Sequence, residues 1–105
     1  MDKELVRKVI QEHAAQIRYC YEQELALNPK LSGKVSIKWQ INADGSASLA
    51  MVDQGATTLQ NANVHKCMIA RITSWEFPKP KGGGVAIITN VTSAKGGKTV
   101  TRQSR

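Results

Sequence analysis

The chain has 105 residues, 41% of them apolar, which suits one domain with a modest core. Its net charge of +7 raises nucleic acid as a partner, yet eleven of the fifteen basic residues share the stretch before residue 92 with all eight acids. That stretch is mildly basic and its lysines alternate with apolar residues, a sparser footprint than nucleic-acid binding requires. No apolar run approaches membrane-spanning length. Met1-Asp2-Lys3-Glu4 leads straight into helical sequence with no signal peptide, so a chain working outside the cytoplasm is expected to be a piece of a longer protein.

Residues 3 to 28 read as one amphipathic helix. Leu5, Val9, Ile10, His13, Ala14, Ile17, Tyr21 and Leu25 recur at helical spacing, with charged residues between them. Asp2 stands where an N-cap is useful, and Pro29 disfavours helix at Asn28. The period then changes to two. Val35, Ile37, Trp39 and Ile41 alternate with Ser36, Lys38 and Gln40, as in a strand with one buried face. Asn42-Ala43-Asp44-Gly45 is a hairpin signal, and a second strand is expected from about Ser46 to Asp53 with Ala47, Leu49 and Met51 on one face.

A second helix follows a polar stretch, capped by Asn61 or Asn63, with Val64, Met68, Ile72 and Trp75 on one face. Pro78 and Pro80 stop it. Val85, Ile87, Thr89 and Val91 form a third strand, which leaves Ala86, Ile88 and Asn90 outward. Residues 92–105 hold four basic residues, no acid and little apolar content, and are expected to form a disordered basic tail. The expected fold is α+β, in the order α-β-β-α-β. Topology rules return strand three antiparallel beside strand one, giving a three-stranded antiparallel sheet of order 2-1-3 with two helices on one face. Strand three is then an open edge.

Two helices on one face bring Cys20 and Cys67 within reach of a disulfide, with two buried free thiols as the alternative. A bridge persists in an oxidising compartment, which points to the periplasm. His13 and His65 complete no metal-ligand spacing, so no metal or cofactor is expected; His13 reads as a hydrogen-bonded core histidine and His65 as exposed. Trp39 and Trp75 read as core. No serine stands on a Gly-flanked turn beside a base, and Lys81-Gly82-Gly83-Gly84 lacks the spacing of a phosphate loop. The chain is not expected to be an enzyme.

Three stretches carry a family resemblance: Ile17-Arg18-Tyr19-Cys20-Tyr21-Glu22; Leu31-Ser32-Gly33-Lys34-Val35 running on to Trp39-Gln40-Ile41-Asn42-Ala43-Asp44-Gly45; and Cys67 through Trp75-Glu76-Phe77-Pro78-Lys79-Pro80-Lys81-Gly82-Gly83-Gly84. Over residues 5 to 91 the chain resembles the TonB-like C-terminal domain of myxobacterial adventurous-gliding motility proteins. The resemblance implies a Cys20–Cys67 disulfide. It also implies a periplasmic domain of an inner-membrane-anchored, envelope-spanning protein coupled to a proton-driven motor.

By the same resemblance a segment of an outer-membrane or periplasmic protein binds by strand addition, at an edge comprising Val85, Ala86, Ile87, Ile88, Thr89, Asn90 and Val91. The family's aromatic-rich ending is absent here, where Thr92-Ser93-Ala94-Lys95 follows Val91. The alternative expectation is a self-associating structural domain, a dimer that exchanges strand three about Gly82 to Gly84. Nucleic acid is not expected, since the outward strand positions carry no aromatic platform.

Overall fold

The structure, a computed structural model, describes residues 3–104. It is α+β: helices α1 (Lys3–Glu12) and α2 (Ala14–Leu25), strands β1 (Gly33–Ile41) and β2 (Ala47–Val52), helix α3 (Ala62–Ser74), then strands β3 (Ala86–Lys95) and β4 (Lys98–Ser104). The four strands form one antiparallel sheet of order β2-β1-β3-β4. The expected 2-1-3 arrangement is therefore present, with a fourth strand added outside β3.

The core lies between the sheet and the helices. Val35, Ile37, Trp39 and Ile41 of β1 meet Val6, Ile10, Ile17, Cys20 and Tyr21 from the first two helices and Val64, Met68 and Ile72 from α3. Alternation along β1 thus buries the face that its sequence marks, where each apolar side chain removed from water contributes about 1.5–3 kcal/mol. Asn61 caps α3, its Oδ1 accepting the Val64 N–H at 3.0 Å. The same side chain donates to Glu24 Oε1 at 3.2 Å, tying α3 to α2.

The single N-terminal helix expected from periodicity is two helices, broken at His13. The His13 ring Nδ1 lies 2.8 Å from the Val9 carbonyl, the acceptor that a continuous helix gives to the His13 N–H. That N–H bonds to Ile10 O at 3.2 Å in a tighter turn. The ring stacks on Trp75 with centroids 4.6 Å apart. The inward face of α1 runs through Val6 and Ile10, leaving Leu5 half-exposed. The Asp2 cap lies outside the described residues.

Two strand faces differ from expectation. Leu49 has φ +54, a left-handed conformation, and the pairing with β1 shifts between Lys38 and Gln40. The added residue is a β-bulge, so Ala47 faces the core before it and Ala50 and Val52 after it, while Leu49 and Met51 turn to solvent. In β3 the parity is reversed. Ala86, Ile88, Asn90, Thr92 and Ala94 face the helices, opposite Ile41, Trp39, Ile37, Val35 and Gly33. Both registers of Val85-Ala86-Ile87-Ile88-Thr89-Asn90-Val91 offer apolar residues, and pairing with β1 chooses between them.

The expected disordered tail is structured. Residues 92 to 95 complete β3, Gly96 and Gly97 make a two-residue turn with φ of +59 and +81, and β4 returns alongside β3. The turn is held on α2: Gly97 N–H reaches Tyr21 Oη at 3.4 Å, and the Tyr21 hydroxyl donates to Leu31 O at 2.7 Å. The folded unit accordingly continues past residue 91 to the end of the described chain.

Candidate interaction surface

Cys20 and Cys67 are joined in a disulfide, with Cα atoms 5.6 Å apart, linking α2 to α3 over the core. His65 is half-buried, not exposed, with Nε2 2.8 Å from Leu59 O. Among the described residues no group of three or more His, Cys, Asp or Glu side chains is placed to hold a metal ion. No helix among them is long and apolar enough to cross a membrane.

The seven residues expected to form a partner-binding edge are divided by the structure. Val85 precedes the strand. Ala86, Ile87 and Ile88 pair with Ile41, Gln40 and Trp39 and have no strand on their other side among the described residues. Thr89, Asn90 and Val91 are correctly placed in a strand but not at an edge, because Ser104, Gln103 and Arg102 of β4 occupy that side. The open edge of the sheet has moved outward by one strand, to β4.

A two-residue turn closes on a hydrogen-bonded pair, here Lys95 and Lys98, so alternation directs the backbone groups of Thr99, Thr101 and Gln103 away from β3. These groups make β4 a template for a further strand. The opposite edge, β2, is six residues long and carries the Leu49 bulge, a form that resists pairing. Ala86 to Ile88 of β3 are a separate short open stretch in line with β4 itself.

The solvent face of the sheet is apolar and basic. Leu49 is 73% exposed, Met51 59% and Ile87 56%. They lie among Lys34, Lys38, Lys95, Lys98 and Arg102, which register places on the same face. The four strands contain no carboxylate. Asp53, just past β2, is engaged by the Gly55 N–H at 3.2 Å.

Along the β4 edge a cleft of about 340 Å³ opens between α1 and the sheet, lined by Arg7, Ile10 and Gln11 of α1, Asn90 of β3 and residues 100–103 of β4. Arg7 is paired with Glu4 at 2.7 Å, and both are well exposed. Asn90 is 4% exposed and its Oδ1 has no hydrogen-bond partner. Sequence reasoning missed this cleft because it placed Asn90 on the solvent face and β4 in no structure. The Gly96-Gly97 pair flanked by alternating residues was the available signal.

Compared with models of protein families, with curated proteins and with solved structures, the chain matches none of them.

Proposed function

We propose that this is a non-catalytic protein-interaction domain of the bacterial envelope. A segment of another envelope protein joins its sheet as a fifth strand along β4. The observation that carries the reading is the open β4 edge, which is long, β-branched and flanked by a cleft beneath α1 and by exposed apolar side chains on the solvent face. Backbone bonds along such an edge supply affinity at about 1 kcal/mol each, and the flanking side chains supply specificity.

The Cys20–Cys67 bridge supports an oxidising compartment, which for this reading is the periplasm. The resemblance to TonB-like gliding-motility domains supplies the wider setting. There the domain is the periplasmic end of an inner-membrane-anchored protein, driven by a proton-powered motor, and the added strand is the link through which force passes.

The test is to select displayed peptides against the oxidised domain and map the binders by backbone amide shifts. Shifts concentrated in residues 98–104 are the expected outcome. Binders that perturb the helices alone contradict strand addition.

A strand-exchanged dimer is the second reading, favoured by the exposed Gly82–Gly84 segment, where an added β-carbon would meet nothing within 4 Å. Sedimentation over a wide concentration range separates the two, since a monomer throughout excludes exchange.

A further inference from the structure

The charged residues of the four strands are all cations: Lys34 and Lys38 of β1, Lys95 of β3, and Lys98 and Arg102 of β4. Alternation and register put every one of them on the solvent face. Among the described residues none stands within ion-pair distance of a carboxylate. Along the open edge the exposed side chains run Lys98, Val100, Arg102, while Thr99, Thr101 and Gln103 are half-buried on the helical side.

Lysine on a strand edge is also a common guard against edge-to-edge pairing. Two copies joined antiparallel about Val100 would set Lys98 opposite Arg102 twice, so β4 rejects a second copy of itself. A guard is served by charge of either sign, and carboxylates elsewhere in the sheet would not weaken it. A sheet whose charges are all cationic is instead complementary to an anionic partner.

Resting on the strand-addition reading, we infer that the added strand is acidic in a set pattern: two carboxylates four positions apart, with an aliphatic residue midway. Every second side chain of an added strand lies on the solvent face, beside a solvent-facing side chain of β4. The aliphatic residue packs on Val100, which is 58% exposed, and the carboxylates stand beside Lys98 and Arg102. The pattern reads the same in both chain directions, so it holds for parallel and antiparallel addition alike. An odd spacing turns one carboxylate to the helical side, away from both cations. The intervening residues adjoin Thr99 and Thr101, whose short uncharged side chains select for no charge.

The experiment titrates the oxidised, isotope-labelled domain with four capped heptapeptides and reads affinity and backbone amides. The first is Thr-Glu-Thr-Val-Thr-Glu-Thr. Glutamine replaces both glutamates in the second, and lysine replaces both in the third. The fourth, Thr-Glu-Thr-Val-Glu-Thr-Thr, keeps the composition and charge of the first but spaces the glutamates three apart. At low salt the first is expected to bind about fivefold more tightly than the second and about threefold more tightly than the fourth. Both advantages shrink as salt is raised. Lys98→Glu with Arg102→Glu should transfer the preference to the lysine peptide, with little change in melting temperature because both side chains are exposed. Lys98→Gln with Arg102→Gln should leave no preference.

Equal binding of the first and fourth peptides reduces the preference to net charge and overturns the pattern. Equal binding of the first and second, or a preference that survives the charge reversal, overturns it too. In each of these cases shifts in residues 98–104 leave strand addition standing. Binding of no peptide, or shifts confined to the helices, removes both readings.

Discussion

Asp44 and Gly45 show how single residues set the geometry of the β1–β2 turn. Gly45 has φ +88 and donates its N–H to Asn42 O, while its carbonyl accepts the Phe77 N–H at 2.9 Å. A β-carbon there would overlap the Phe77 carbonyl oxygen. Gly45→Ala therefore combines left-handed strain with a backbone clash and should cost about 2–4 kcal/mol in denaturant unfolding. Asp44 accepts hydrogen bonds from Ser46 Oγ at 2.6 Å and Ser46 N at 2.9 Å, and these hold its carboxyl below the ordinary carboxylate range. Because the folded value is depressed, the contribution is present above the unfolded pKa and lost as pH falls through the folded one. Carbon-detected titration should place Asp44 below an unperturbed aspartate, and Ser46→Ala should bring it back up.

Among the elements, what the sequence conveyed and what it concealed divide along a physical line. β1 was legible because strict alternation of Val35, Ile37, Trp39 and Ile41 leaves one choice of face. α3 was legible from Asn61 at one end and the prolines beyond the other. The bulge at Leu49 was not, since nothing local to Ser48-Leu49-Ala50 demands an extra residue; pairing with β1 imposes it. The break at His13 was hidden because a ring-to-carbonyl bond replaces a helix bond without glycine or proline.

β4 was hidden by its own composition. Thr, Lys, Arg and Gln read as solvated chain until Gly96-Gly97 is taken as a hairpin turn. Deleting residues 96–105 tests that strand. Hydrogen exchange should then show lost protection at Thr89, Val91 and Ser93, whose N–H groups face β4, together with a lower melting temperature and aggregation along the bared β3 edge. Unchanged protection means that β4 is not formed.

For the molecule as a whole, the disulfide is the largest single constraint. Cys20 and Cys67 are 47 residues apart, and closing such a loop restricts the unfolded chain by about 4 kcal/mol in the entropy model. In a domain this small that is a large share of total stability. Reduction should lower the melting temperature by roughly 15–30 °C in calorimetry with and without reductant. A shift of a few degrees would remove the argument that the fold depends on an oxidising compartment. A sheet stapled on its helical side and open at β4 would, on the proposed reading, gain a partner strand at one rim without disturbing the core.

The most direct test of that division is a set of intermolecular nuclear Overhauser contacts between the oxidised domain and a bound, selected peptide. The account predicts backbone-to-backbone contacts from the peptide to Thr99, Thr101 and Gln103, spaced two residues apart as in a regular ladder. Contacts confined to the outer helix surfaces, or to the β2 edge, would contradict it.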